Sequence, residues 1–369
     1  MNTNLIEWWL NYLPLTEEEN NLIRSKRDNN KNYNGDYKQL EKEFFQNLLN
    51  SNISENTHNI TVSESATNII EQLFQNNVDD DTLIISSNIE HEAVRNILSK
   101  YKNVLLLNYL DCFNLKEKEL FSIINNKIKN YKKVFVYIIG THISTGLITP
   151  QTLFYNIKNI LISMKIPHKI VIDDVHGLFV SPRDYSIFDY VIGTAHALIR
   201  PYDMGLLISK DGKYGEKNYN WFNDYMIRLK IILKRMNKMR LFSYVLSQEL
   251  SDILQYNNIS RYADNTPNIF SIQCFNLKFN QKMYDDLDKY EIRVEKNIEG
   301  NDTTIIRLRA AQFITFPELL IDGLELLKKY IEEYQVISTI SLLWPSGNVS
   351  INTSLCCLSI DFIEIFSSE

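Results

Sequence analysis

Four stretches of this chain place polar side chains at the ends of apolar runs, where the backbone could present them to a small molecule. In KIVIDDVHG (169–177), Asp173 emerges at the carboxyl end of a β-rich run and His176 follows three residues later. Open α/β sheets bind ligands at that end of their strands; the plain alternative is a loop Asp that satisfies backbone amides. FDYVIGTAHALIRPYDMGLLIS (188–209) holds a second apolar run ending in a polar cluster, with Thr194 and His196. SESATN (63–68) sets small hydroxyl residues, Thr67 among them, around Ala66 at a predicted helix start. The free N–H groups and dipole of such a start favour an anion, phosphate above all. IEHEAVRN (89–96) puts His91 at the start of another helix.

The elements that must position these residues read as a β/α alternation. NITV (59–62), TLIISS (82–87), VLLLNYL (104–110), KVFVYIIG (133–140), KIVIDDV (169–175), YVIGTA (190–195) and GLLIS (205–209) are short apolar runs of the buried-strand type. Helical patterns lie between them, such as HEAVRNILSKY and LFYNIKNILISM (153–164). This spacing argues an α/β fold with a parallel or mixed sheet and helices on both faces. Residues 216–256 read as one or two long helices, followed by a smaller α+β set: IFSIQCF, KMYDDLDKY, EIRVEK and TTIIRLRAA. The expected organisation is a helical segment at 1–45, a large α/β domain at 46–240, a small α+β domain at 241–335 and an extended tail at 336–369.

Together these residues resemble the class V aminotransferase and cysteine desulfurase group of pyridoxal-phosphate (PLP) enzymes. Asp173-Asp174-Val175-His176 is similar to the family's D-x-x-[QH], and Glu90-His91-Glu92-Ala93-Val94 to its E-H-x-A-V. Ser65-Ala66-Thr67 resembles its phosphate-binding G-A-T, with Ser for Gly, and His142-Ile143-Ser144-Thr145-Gly146 its S-T-G stretch. Thr194-Ala195-His196-Ala197, with Pro201 and Gly205 beyond, aligns without gaps on S-[AG]-H-K-x-x-G-P-K-G-x-G. The resemblance spans about 60–330. It implies the fold type I architecture, a large domain with a mostly parallel sheet flanked by helices plus a small α+β C-terminal domain. It also implies PLP as cofactor, an amino acid as substrate, and a homodimer.

The same resemblance assigns roles. Asp173 holds the pyridine nitrogen protonated, His176 lies near the phenolic oxygen, and His91 stacks on the ring, with a helix N-cap neighbour as its plain alternative. Thr67, the amides around Ala66, Thr194 and His196 hold the phosphate; Thr145 belongs to the cofactor set through its motif. Arg307 forks onto the substrate carboxylate, while Arg309 reads as a solvated strand residue.

The pattern breaks at 197, where the family's Schiff-base lysine is replaced by Ala197. That lysine links to the cofactor and takes the α-proton; Lys210 and Lys213 lie beyond the next strand and do not replace it. With Ala197 the chain is expected to be inactive or very slow. It is either an enzyme form whose lysine has been exchanged, or a naturally lysine-less protein that binds PLP or an amino acid. The first is favoured because Asp173, His176, His196 and Arg307 all persist. Arg200 and Asp203, where the family has Gly, point to a divergent pocket. The leading reaction is amino-group transfer, with β-elimination or C–S lysis next and racemisation open. Desulfuration is disfavoured: Cys274, the one cysteine between the lysine and arginine motifs, sits inside an apolar strand.

Composition narrows the classes. A chain of 369 residues favours two domains. A net charge of −6 argues against nucleic acid as partner, and no apolar run reaches the roughly 18 residues of a membrane span. Glu7 stands where a secretion signal would carry Lys or Arg. Cys112, Cys274, Cys356 and Cys357 show no C-x-x-C spacing, as expected of reduced thiols in a cytoplasmic protein without a metal site. Glycine is scarce, 11 of 369, yet seven of the 11 fall between 140 and 215, among the motifs above.

Overall fold

The computed structural model of the chain describes residues 17–29, 37–48, 51–108, 117–142, 148–179, 182–194, 204–211, 220–231, 233, 259–261, 270–275, 280–290, 293–296, 303–308, 322–323 and 325–330. The chain divides after Lys328 into two compact units, and every element described below belongs to the first. Thr145, His196, Ala197 and the 336–369 tail lie outside the described residues, as does most of the expected helical stretch past 231.

Seven strands form the larger sheet. They are β1 (Asn59–Ser63), β2 (Thr82–Ser87), β3 (Val104–Leu107), β4 (Lys133–Ile139), β5 (His168–Asp173), β6 (Tyr190–Thr194) and β7 (Gly205–Ser209). Their spatial order is β1-β7-β6-β5-β4-β2-β3. From β3 to β6 all neighbours are parallel, while β7 runs antiparallel to both β6 and β1. Each expected apolar run therefore contains a strand, which in VLLLNYL is Val104–Leu107. A second sheet, antiparallel throughout, has the order β10-β11-β9-β8, from β8 (Ile259–Arg261), β9 (Phe270–Phe275), β10 (Arg293–Lys296) and β11 (Thr303–Leu308).

Helices α1 (Glu17–Asn29), α2 (Tyr37–Gln46), α3 (Ala66–Asn77), α4 (Glu92–Leu98), α5 (Glu117–Ile128), α6 (Gln151–Ser163) and α7 (220–231) accompany the first sheet in sequence, and α8 (Gln281–Asp288) falls between β9 and β10. Strand side chains alternate between faces, and the core divides accordingly. Leu83, Ile85, Val136, Ile138, Ile170, Ile172, Leu206 and Ile208 join residues of α2, α5, α6 and α7 on one face. Ile84, Phe135, Tyr137, Val171, Ile192 and Leu207 join α3 and α4 on the other. Both faces are covered, so the strands are apolar on both sides rather than alternating with polar residues. On α7, Phe222, Tyr225, Met226 and Leu229 keep helical spacing and bury against the core that holds Phe44. Among the described residues no helix is long and apolar enough to cross a membrane.

Candidate functional site

Strand register brings the polar strand ends into one row. Ile139 at the end of β4 pairs with Asp173 at the end of β5, and Asp173 pairs with Ile192 on β6. Two residues on, Thr194 pairs with Gly205, which pairs in turn with Ser63 at the end of β1. Asp173 points to the face that carries α3 and α4, as do Val171 on its own strand and Tyr137 on the neighbouring β4.

The start of α3 is pressed onto this row. Ser65 caps the helix in extended backbone, its hydroxyl accepting from the Asn68 N–H at 3.2 Å. A Cβ on Gly205 would lie 2.4 Å from the Ser65 carbonyl oxygen and 2.6 Å from the Ala66 nitrogen. Only a residue without a side chain lets the helix N-terminus lie this close to β7. The result is an anion-favouring helix start beside Thr194, whose hydroxyl donates to the Met204 carbonyl at 3.1 Å. Thr67, in the first turn of α3, is exposed and reachable by a ligand. Gly205→Ala therefore forces backbone against backbone. We expect a loss of about 1–3 kcal/mol, the range for overpacking, read as a lower urea midpoint with an unchanged slope.

Asp173 is 4% exposed. Its Oδ2 accepts the Tyr137 hydroxyl at 2.7 Å and its Oδ1 the Val175 N–H at 3.4 Å. Burial raises its pKa; the Tyr137 and Val175 bonds and the positive side of His91 oppose that rise. Among the described residues Asp173 forms no ion pair. Burial, Asp173 and Glu90 together push the Tyr137 phenol well above its usual range, so it remains a donor. His91 is exposed and caps α4, its Nδ1 accepting from the Ala93 N–H at 3.2 Å. Capping through Nδ1 leaves Nε2 and the ring faces available, so this arrangement accommodates the stacking role as well as the plain one. His176 is half-buried in the turn after β5.

Next to Asp173, Asp174 faces the opposite way into a buried network. Its Oδ2 accepts the Tyr185 hydroxyl at 2.6 Å and its Oδ1 the Thr141 hydroxyl at 3.2 Å. The Arg183 Nε lies 3.3 Å from Oδ2, at ion-pair distance but not aligned for a hydrogen bond. Arg183 donates its Nη1 to the Thr149 carbonyl at 3.1 Å and its Nη2 to that of Gly140 at 3.2 Å. A Cβ on Gly177 would fall 2.1 Å from the Asp174 Oδ1, so the turn carrying His176 closes over the carboxylate only because residue 177 is glycine.

The structure thus gathers Ala66, Thr67, His91, Asp173, His176 and Thr194 at one end of the sheet. Arg307 lies on β11 of the second sheet, in register with Arg293 and Ser271. Sequence reasoning missed Tyr137, Arg183 and Thr149, and gave Glu90 no role beyond its place in the E-H-x-A-V match. Tyr137 was signalled only as a polar-tipped residue within a buried run, and Arg183 only as one of two adjacent opposite charges in SPRDYSIF.

Many solved structures resemble this chain, among them the three that follow. A NifS-like protein from Rickettsia africae shares 17% identity at a TM-score of 0.62, over 88% of this chain and 99% of that one. A PLP-dependent aminotransferase from Streptococcus suis shares 13% at 0.61, over 89% and 97%. The cystine C–S lyase C-DES, complexed with its product cysteine persulfide, shares 15% at 0.58, over 85% and 94%. The chain has the fold type I architecture. Within fold type I these similarities carry the architecture, and identities this low carry no activity. A Lys-to-Ala mutant of C-DES holds glycine covalently linked to its PLP cofactor. No protein-family model and no curated protein matches the chain.

Proposed function

We propose that this end of the sheet is the PLP site of an enzyme acting at the α-carbon of an amino acid, of the class V aminotransferase type, and that Ala197 leaves the present chain inactive or very slow. Asp173 carries the reading. It is a buried carboxyl at the end of a parallel strand, oriented by two donors and forming no ion pair among the described residues. A protonated pyridine nitrogen supplies the missing ion-pair partner, and a phosphate suits the start of α3 beside Thr194. The residues present fit PLP.

Bound PLP supplies the electron sink that takes up the pair left when a bond to the amino-acid α-carbon breaks. The chain's own residues then have separate tasks. Asp173 holds the proton on the ring nitrogen, and the Tyr137 hydroxyl fixes the carboxylate that does so. Ala66, Thr67, Thr194 and His196 bind the phosphate, His91 covers one ring face, and His176 and Thr145 complete the cofactor set. Arg307 binds the substrate carboxylate. Ala197 can neither take nor return a proton, so the α-proton has no acceptor at that position. Homodimerisation and a cytoplasmic location belong to the same proposal.

A β-elimination or C–S lyase reading uses the same residues and is supported by the C–S lyase among the similar structures. A lysine-less binding protein is supported by Ala197 itself and by the glycine-bearing mutant of C-DES.

The direct test is Asp173→Asn. A hydrogen bond to a charged group contributes about 1.5–3 kcal/mol, so PLP should bind roughly 10- to 150-fold more weakly, with the far-ultraviolet circular dichroism unchanged. Unchanged affinity in a folded variant sinks the PLP reading.

A further inference from the structure

One buried acid at this end of the sheet has no task in the proposed chemistry. Glu90, 2% exposed, sits just before His91 in the segment joining β2 to α4. Its Oε1 accepts from the Ser87 N–H at 3.3 Å, from the Ile139 N–H at 3.1 Å and from the Ser87 hydroxyl. Glu90 thereby ties the end of β2 to the end of β4, one strand from Asp173. Its Oε2 is buried without a partner. An ionised carboxylate spreads its charge over both oxygens and would leave half of it without a donor in a dry site. A neutral acid keeps Oε1 as the acceptor of all three bonds and places no charge on Oε2, which costs less in a buried site than a carboxylate solvated on one oxygen alone. Asp173 is the opposite case, with a donor on each oxygen and His91 nearby.

We infer that Glu90 is a positioning residue that stands at the carboxyl ends of β2 and β4 as an uncharged acid, so that the single negative charge of the Glu90–Asp173 pair rests on Asp173. Holding that charge for a cationic ring nitrogen rests on the PLP reading; the protonation pattern itself does not. The ionisable groups in electrostatic contact with Glu90 are Asp173 on β5 and Tyr137 on β4. Tyr137 remains a neutral donor, so Asp173 is the charge that opposes ionisation of Glu90. Burial first, and then the Asp173 charge against the opposing Ser87 bond, lift the Glu90 pKa from 4.5 to about 8.

The sign follows from linkage. Glu90 releases its proton more readily in the unfolded chain, so its contribution to stability is complete below about pH 4.5 and is lost as the pH rises to about 8. Glu90→Gln mimics the neutral acid and removes this dependence. Urea unfolding of the apo-protein between pH 5 and 9.5 should show the variant gaining on the wild type by up to about 10-fold in the unfolding constant per pH unit. The gain should level off near pH 8. In Asp173→Asn the like charge is gone, so the same comparison, made against the double variant, should level off at a lower pH. Superimposable pH profiles for the wild type and Glu90→Gln overturn the proposal, and an unmoved break in the Asp173→Asn background overturns the pairing. If Glu90→Gln does not fold, infrared difference spectra of the wild type decide: a protonated-carboxyl stretch titrating near pH 8 supports the proposal, and its absence overturns it. PLP titrations of the same proteins are read separately. Failure to bind PLP with the pH profiles as expected removes the cofactor reading and leaves the Glu90 assignment standing.

Discussion

Replacing Ala197 by lysine should raise the rate at which the PLP-loaded protein exchanges the α-proton of its amino-acid substrate by roughly 10²–10⁴-fold, the contribution of a positioned general acid–base group. Every other role in the proposed site is already filled by a residue of the required type: Asp173 for the ring nitrogen, the α3 start and Thr194 for the phosphate, Arg307 for the carboxylate. One methyl group therefore stands between a binding site and a turnover site. Exchange is followed by NMR in deuterated water across the amino acids. Borohydride reduction and mass spectrometry then ask whether the cofactor becomes attached to residue 197. Assays for keto acid, ammonia and sulfide run in parallel separate amino-group transfer from elimination and C–S lysis. No attachment and no gain in exchange would show that residue 197 is not the lysine position, and the enzyme reading would fall with it. Attachment without exchange would favour the binding protein.

The strands were legible because both faces of the sheet are covered, so each strand appears as a continuous apolar run bounded by polar residues. The start of α3 was legible within two residues because Ser65 is a strong cap and the apolar spacing begins at Ile69. Asp173 stood out as an acid directly after KIVI. Its orienting partner did not, because Tyr137 lies 36 residues away and meets it only through the β4–β5 register. Arg183 was hidden for a similar reason: its acceptors at Gly140 and Thr149 are carbonyls, which carry no residue type. The neutral state suggested for Glu90 depends on which of its oxygens finds donors, a property of folded geometry alone. Sequence exposes the residues that end elements, while the residues that hold those ends in place are selected by long-range packing.

The Asp174–Arg183 pair is such a holding device, and Arg183→Ala should be the most destabilising single change considered for this chain. Both side chains are buried, at 0% and 2% exposure. Removing the guanidinium leaves the Asp174 carboxylate with only the Thr141 and Tyr185 hydroxyls and takes a donor from each of the Gly140 and Thr149 carbonyls. Breaking one side of a buried pair costs about 3–5 kcal/mol, readable in the urea midpoint. Removing the charge on both sides, in Asp174→Asn with Arg183→Met, should recover part of that loss, since the Asn keeps the shape the glycines accommodate and no charge is stranded. The same Arg183 fork joins the end of β4 to Thr149, spanning the 141–148 segment that contains Thr145, and Asp174 is the chain neighbour of Asp173. The single variant should therefore weaken PLP binding even at temperatures where it remains folded, and the double variant should weaken it less. A loss below about 1 kcal/mol, within the range of an exposed ion pair, would mean that the buried pair does not anchor this end of the sheet.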